Sequence, residues 1–145
     1  MKHRRYSPLD IARRNTTAAL KSLVASDGKE EYRTHCAIVE ALQRFGVPGL
    51  VFWHCPNGAK RGAISAARLR AMGMLAGVPD LALSWPGHMA FMEIKSGKGK
   101  IAQEQIAFLD AMRSHGHYTA VVRSLEEAIS TLSAWGAIKR ARVAA

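Results

Sequence analysis

The chain is short of cysteine, short of acid and without a long apolar run, and each shortage removes a class of protein. Its two cysteines, Cys36 and Cys55, form no C-x-x-C pair, so neither a disulfide framework nor a cysteine cage for zinc organises the fold. The six histidines do not fall at zinc-finger spacing. His115 and His117 follow a helical segment and read as a helix-terminal cation and a loop residue. No segment approaches the roughly 18 uninterrupted apolar residues of a membrane span. The basic N-terminus lacks the apolar centre and cleavage site of a secretion signal. The expectation is a soluble cytoplasmic protein. The G-x-x-x-x-G-K-[ST] pattern of a phosphate-binding P-loop is absent as well. Against 21 Lys and Arg stand only 11 Asp and Glu, which gives a formal charge of +10 and a pI of about 10.2. That imbalance is the electrostatic footprint of a polyanion binder.

What is present is enough for a packed core. Hydrophobic residues make up 48% of 145 residues, too many for disorder and sufficient for one domain over 1–145. No internal repeat is visible. Periodicity and stop signals predict a helix from Pro8 to Val24, with Ser7 as cap and Pro8 in the first turn. A second helix runs from Lys29 to Phe45 and stops at Gly46. A strand over Leu50 to His54, a basic loop and a short helix near Ser65 to Met72 follow. After a hairpin come a helix from Ala102 to His115, a strand from Tyr118 to Val122 and a helix from Leu125 to Trp135. Two unpatterned cysteines suit a reducing compartment, with Cys36 filling core space on its helix.

The hairpin is the most informative stretch. Leu81 to Met92 alternates in apolar character and is broken by Trp85-Pro86-Gly87-His88, a strong turn signal. A turn centred on Pro86 and Gly87 pairs Ser84 with Met89, Ala82 with Phe91 and Asp80 with Glu93. The last two become cross-strand neighbours with Cβ atoms roughly 4.5 to 5.5 Å apart. Like charges so placed destabilise a hairpin, and a bound cation is the simplest offset. Side chains alternate along a strand, so Phe91, Glu93 and Lys95 share a face while Ala90, Met92 and Ile94 enter the apolar layer. Lys95 then lies one pleat beyond the two acids, where it can orient or help deprotonate an attacking water. Taken alone, Glu93-Ile94-Lys95 also describes the solvated face of an amphipathic strand. The matched Asp80 and the Gly77-Val78-Pro79 entry weigh against that bland reading.

A third acid comes from the Lys29 to Phe45 helix. Its apolar stripe runs through Ile38, Leu42 and Phe45, and one heptad back from Ile38 lands on Glu31, which should face inward. Glu30 lies about 80° off that line and should be solvated. His35, one turn beyond Glu31, is near the inward face. A first-turn acid favoured by the helix dipole is the ordinary alternative for Glu31.

The order Glu31, Pro56-Asn57-Gly58, Gly77-Val78-Pro79-Asp80, Glu93-Ile94-Lys95 and Gln105 resembles the VRR-NUC (virus-type replication-repair nuclease) branch of the PD-(D/E)xK superfamily. The resemblance covers about residues 30 to 130 and leaves a basic N-terminal helix or arm over 1–28 and a basic tail over 136–145. It implies an α/β, restriction-endonuclease-like core with a mixed sheet flanked by helices, a Mg²⁺ or Mn²⁺ cofactor and phosphodiester hydrolysis in DNA. Asp80 and Glu93 would be metal ligands, Lys95 the catalytic lysine, Glu31 a helix carboxylate reaching the metal directly or through water, and Gln105 the polar residue of the following helix. His35 departs from the pattern, standing where a Gln is expected.

The chemistry agrees with that picture. A phosphodiester is anionic and repels hydroxide, so its hydrolysis calls for a hard cation. Oxygen ligands from Asp80 and Glu93, joined by the Ile94 carbonyl, suit Mg²⁺. The glycine-rich loop Pro56 to Gly62 carries Asn57, Lys60 and Arg61, with Arg68 and Arg70 beyond it, and reads as a clamp on the phosphate backbone. Ser96-Gly97-Lys98-Gly99-Lys100 offers two more cations directly after the catalytic strand. A flexible solubilising turn is the alternative there, and for the arginines of the two chain ends frayed, solvated termini are. The resulting expectation is a structure-selective DNA endonuclease resolving Holliday junctions as a homodimer. The alternatives are a monomeric nickase or flap nuclease and, from another class, a non-catalytic basic nucleic-acid-binding module.

Overall fold

The computed structural model describes residues 30–56 and 62–139. In chain order they form α1 (Glu30–Phe45), β1 (Val51–His54), α2 (Ala63–Ala71), β2 (Leu81–Trp85), β3 (His88–Ile94), α3 (Gln103–Ser114), β4 (Tyr118–Val122) and α4 (Leu125–Trp135). The strands make one sheet in the order β1-β2-β3-β4, in which β1, β2 and β3 pair antiparallel and β4 joins β3 in parallel. Parallel neighbours need a crossover, and α3 supplies it. The result is a mixed α/β sheet flanked by helices. The helix predicted over Pro8 to Val24, both basic chain ends up to 29 and from 140, and the loop residues Asn57, Lys60 and Arg61 lie outside the described residues.

The hairpin follows its turn. Pro86 presets one backbone angle, and Gly87 takes a φ of +79°, which side-chain-bearing residues rarely adopt. Pairing is Ser84 with Met89, Ala82 with Phe91 and Leu81 with Met92, and continuing that register by one residue sets Asp80 beside Glu93. β3 lies between β2 and β4 and is covered on both sides. On one face α1 and α4 bring Ile38, Leu42, Ala128 and Leu132 against Leu81, Leu83, Met92, Ile94 and Val122. Each of these apart from Ala128 contributes about 1.5–3 kcal/mol on burial. On the other face α3 lays Leu109, with Phe108 and Met112 beside it, over Ala82 and Phe91.

One stripe residue departs from expectation. Ile38 and Leu42 are buried, but Phe45 is 48% exposed and Ala41 takes its share of the core. The last turn of α1 meets backbone instead of the sheet: Lys139 donates its N–H to the Phe45 carbonyl at 2.8 Å, and Gly46 bridges to Ile138. Cys36 is only half-buried. The short helix α2 buries no side chain, and its Ile64 is 87% exposed. No described helix is long and apolar enough to cross a membrane.

Candidate active site

The approach to β2 requires a glycine at one position. At Gly77, φ is +83°, and a Cβ would sit 2.3 Å from the carbonyl carbon and oxygen of Glu104. Only glycine lets this loop lie against the start of α3, and Pro79 then buries itself ahead of the strand. Asp80 arrives half-buried, its Oδ2 accepting the Ile94 N–H at 2.9 Å across the strand gap. The Ile94 contact with Asp80 is thus made by its amide.

Glu93 is 2% exposed and is the one buried charged residue among the described residues. Its Oε1 accepts from Lys95 Nζ at 2.7 Å and from Gln105 Nε2 at 2.5 Å. Gln105 cannot turn freely, because its own Oε1 accepts the Ala102 N–H at 3.0 Å. The amide oxygen is committed to the start of α3, so the amide nitrogen faces Glu93. Glu31 joins from α1, its Oε2 accepting the Ser96 N–H at 3.3 Å just past β3. Glu30 is exposed, as its helical phase predicts. Asp80, Glu93, Lys95, Gln105 and Glu31 therefore converge on the open end of the hairpin, beside a cleft of about 340 Å³ lined by Gly77, Val78, Lys95, Lys100, Glu104 and Gln105.

Burial pushes the Glu93 carboxyl above its ordinary pKa and the charge of Asp80 adds to it, while Lys95 and Gln105 only partly offset them. For Lys95 burial pulls the other way, but its hydrogen bond to Glu93 and the charges of Glu93, Glu31 and Asp80 outweigh it, leaving the ammonium above its usual value. The donor set fits a divalent ion: these contacts occupy Oδ2 of Asp80 and Oε1 of Glu93, so each acid keeps an oxygen to offer, and hard oxygen donors suit Mg²⁺ or Mn²⁺.

Two further features of the site escape a reading of the sequence. The group of His, Cys and acidic donors that closes within 4.8 Å among the described residues is not the three carboxylates but His35, His54 and Asp80. His54 ends β1 opposite Leu81, which carries it beside Asp80. Burial lowers the His35 pKa, as does the neighbouring His54, with Asp80 and Glu31 opposing. The second feature is Arg123, whose Nη1 donates to the carbonyls of Gly97 and Gly99 at 2.8 and 2.9 Å. With Glu31 holding the Ser96 amide, the loop carrying the exposed Lys98 and Lys100 is tied at both sides. Arg68 is exposed on α2, whose side chains take no part in the hydrogen bonds around Asp80 and Glu93. His115 caps the end of α3, its ring 6.5 Å from that of His117.

Comparison with known proteins adds an independent line. The VRR-NUC domain family model matches residues 29–126. Among solved structures, a VRR-NUC domain protein is similar at a TM-score of 0.60 and 19% identity, over 76% of this chain and 90% of that one. A second, described as a VRR-NUC domain, is similar at a TM-score of 0.51 and 19% identity, over 73% and 97%. At such identity the likeness is one of fold. No curated protein matches the chain in sequence.

Proposed function

The chain belongs to the VRR-NUC domain family, and on that premise we propose that it is a single-domain, Mg²⁺- or Mn²⁺-dependent endonuclease that hydrolyses phosphodiester bonds in structured DNA in the cytoplasm. The observation that carries the reading is Glu93: a carboxylate 2% exposed, set beside a second acid in the hairpin register and contacted by a lysine. Folding gains nothing from that arrangement, so it calls for a functional reason. Asp80, Glu93 and the Ile94 carbonyl would hold the cation, with Glu31 reaching it directly or through water. A bound cation supplies charge neutralisation at the phosphate and acidifies a water for attack.

The chain's own groups do the remaining work. Lys95, which contacts Glu93 at 2.7 Å, would orient or help deprotonate the attacking water. Gln105 fixes the rotamer of Glu93 from α3. Lys98 and Lys100, on the loop held by Arg123, are set to contact the flanking phosphates together with Asn57, Lys60, Arg61 and Arg68. One site per chain cuts one strand, whereas resolving a four-way junction takes paired incisions, and a two-fold homodimer supplies these.

The test incubates labelled duplex, single-stranded, flap and four-way-junction DNA with the protein in Mg²⁺, Mn²⁺ or EDTA, alongside light scattering. The reading expects metal-dependent cuts, strongest and symmetric on the junction, by a dimer. Single-strand nicks from a monomer would favour the nickase or flap alternative. Equal binding in EDTA without any cutting would leave a non-catalytic module.

A further inference from the structure

His35, His54 and Asp80 come from α1, the end of β1 and the approach to β2, so three separate elements bring their ligand atoms within 4.8 Å of one another. The two imidazoles are not stacked; their centroids are 5.0 Å apart with the planes at 78°. His54 Nδ1 lies 2.9 Å from the Asp80 carbonyl oxygen. A carbonyl only accepts, so Nδ1 carries a proton, and in the neutral ring Nε2 is the nitrogen with a lone pair to offer. A backbone carbonyl on the far nitrogen is the contact that ligating histidines commonly make, because it fixes the tautomer and the ring orientation. Asp80 thus serves twice, with its main chain orienting His54 and its carboxylate standing beside both rings.

Two imidazoles and one carboxylate are the wrong donors for Mg²⁺, which prefers oxygen, and the right ones for borderline ions such as Co²⁺, Ni²⁺ and Zn²⁺. We propose that His35, His54 and Asp80 form a binding site for a borderline divalent ion, adjoining the carboxylate site and sharing Asp80 with it. Nitrogen ligands make this second site selective against Mg²⁺, and the shared aspartate couples the two: an ion on the histidine side draws charge from an acid that the carboxylate side also uses. His35 is the residue that creates the site, since a side-chain amide at the same helical position would be a far weaker ligand. The proposal does not depend on nuclease activity, because ion binding is read without DNA.

Chelator-stripped, full-length protein is titrated with Co²⁺ and followed by visible absorption, and with Zn²⁺ and Mg²⁺ by calorimetry. Co²⁺ bands that a large excess of Mg²⁺ does not remove are expected in the wild type. In the His35→Gln/His54→Gln protein Zn²⁺ affinity should fall by about a hundredfold or more, beyond the 10–100-fold typical of losing an outer partner alone, with Mg²⁺ affinity within a few-fold of wild type. Zn²⁺ affinity unchanged in that protein, or Mg²⁺ affinity falling equally, overturns the proposal. Should the double variant fail to fold, imidazole nitrogen shifts in the wild type decide: Zn²⁺ must move His35 and His54, and movement confined to the other four histidines contradicts it. Loss of cleavage with intact Zn²⁺ binding would instead count against the nuclease reading alone.

Discussion

At the turn end of the β2–β3 hairpin, Trp85 stacks on His88 at 5.2 Å and on Tyr118 at 6.0 Å, with Trp135 of α4 extending the stack from Tyr118 at 5.6 Å. At the open end of the same two strands, Asp80 and Glu93 face each other as like charges, one of them almost wholly buried. The register is common to both ends, but aromatic stacking favours the pairing while charge repulsion opposes it. The turn and the apolar middle hold the hairpin closed, so its open end can keep an arrangement that is unfavourable without a ligand. Side chains that work against folding are the better guide to function.

The comparison breaks most visibly by removing the stabilising end. Trp85 is 7% exposed, and Trp85→Ala is expected to cost about 3–5 kcal/mol in urea unfolding, while the protein that remains folded at low temperature still cuts DNA. A cost under about 1 kcal/mol would mean that the aromatic end does not hold the hairpin. At the charged end the effects should reverse. Lys95→Ala is expected to lower cleavage by about 10²–10³-fold, the scale of one lost transition-state donor, with little change in melting temperature or DNA binding. Cleavage at the wild-type rate would remove Lys95 from the mechanism.

A smaller effect sharpens the electrostatic half. The Glu93 carboxyl titrates above its ordinary value because it is buried beside Asp80. Between the unfolded and folded pKa values the native state holds a proton that the unfolded chain has released, so this group's contribution to stability falls as pH rises through that window. The metal-free protein should lose stability there, and Mn²⁺, which binds the ionised form, should flatten the slope. Asp80→Asn relieves the repulsion and should raise the metal-free melting temperature by a few degrees, on the order of 1 kcal/mol. A lowered melting temperature would show that the Asp80 hydrogen bond to Ile94 outweighs the repulsion. The smallest effect concerns Lys98 and Lys100, where each Ala substitution should reduce the log–log salt slope of DNA binding by about one unit.

How far the sequence reaches differs between the same two regions and their surroundings. Register is readable because the Pro86-Gly87 turn determines the cross-strand pairs from Trp85 with His88 to Leu81 with Met92; Asp80 beside Glu93 is that register carried one residue further. Glu31 is half-buried and reaches the Ser96 amide, on the side its helical phase indicates, since α1 is regular through Leu42; Phe45 departs, because the backbone of the Gly46 and Lys139 region, remote in sequence, ends the core there. His54 stayed invisible for a related reason. Its closeness to Asp80 depends on how β1 pairs with β2, and no tight turn joins those strands to announce it. Arg123 binds main-chain carbonyls, which carry no sequence signature. His35 was visible on the inward face of its helix, but not the partner that gives it a use.

On the proposed function, the buried Glu93 carboxylate serves to bind a cation and to support catalysis. The most direct measurement is junction and flap cleavage by Glu93→Gln in Mg²⁺ and Mn²⁺, with DNA binding followed in parallel by fluorescence anisotropy. The change keeps the shape of the side chain and its capacity to bond Gln105 while removing the charge. Cleavage should fall by at least about a hundredfold and be metal-dependent in the wild type, with DNA affinity retained within a few-fold. Cleavage near the wild-type rate in Glu93→Gln, or wild-type cleavage that persists in EDTA, would contradict that role.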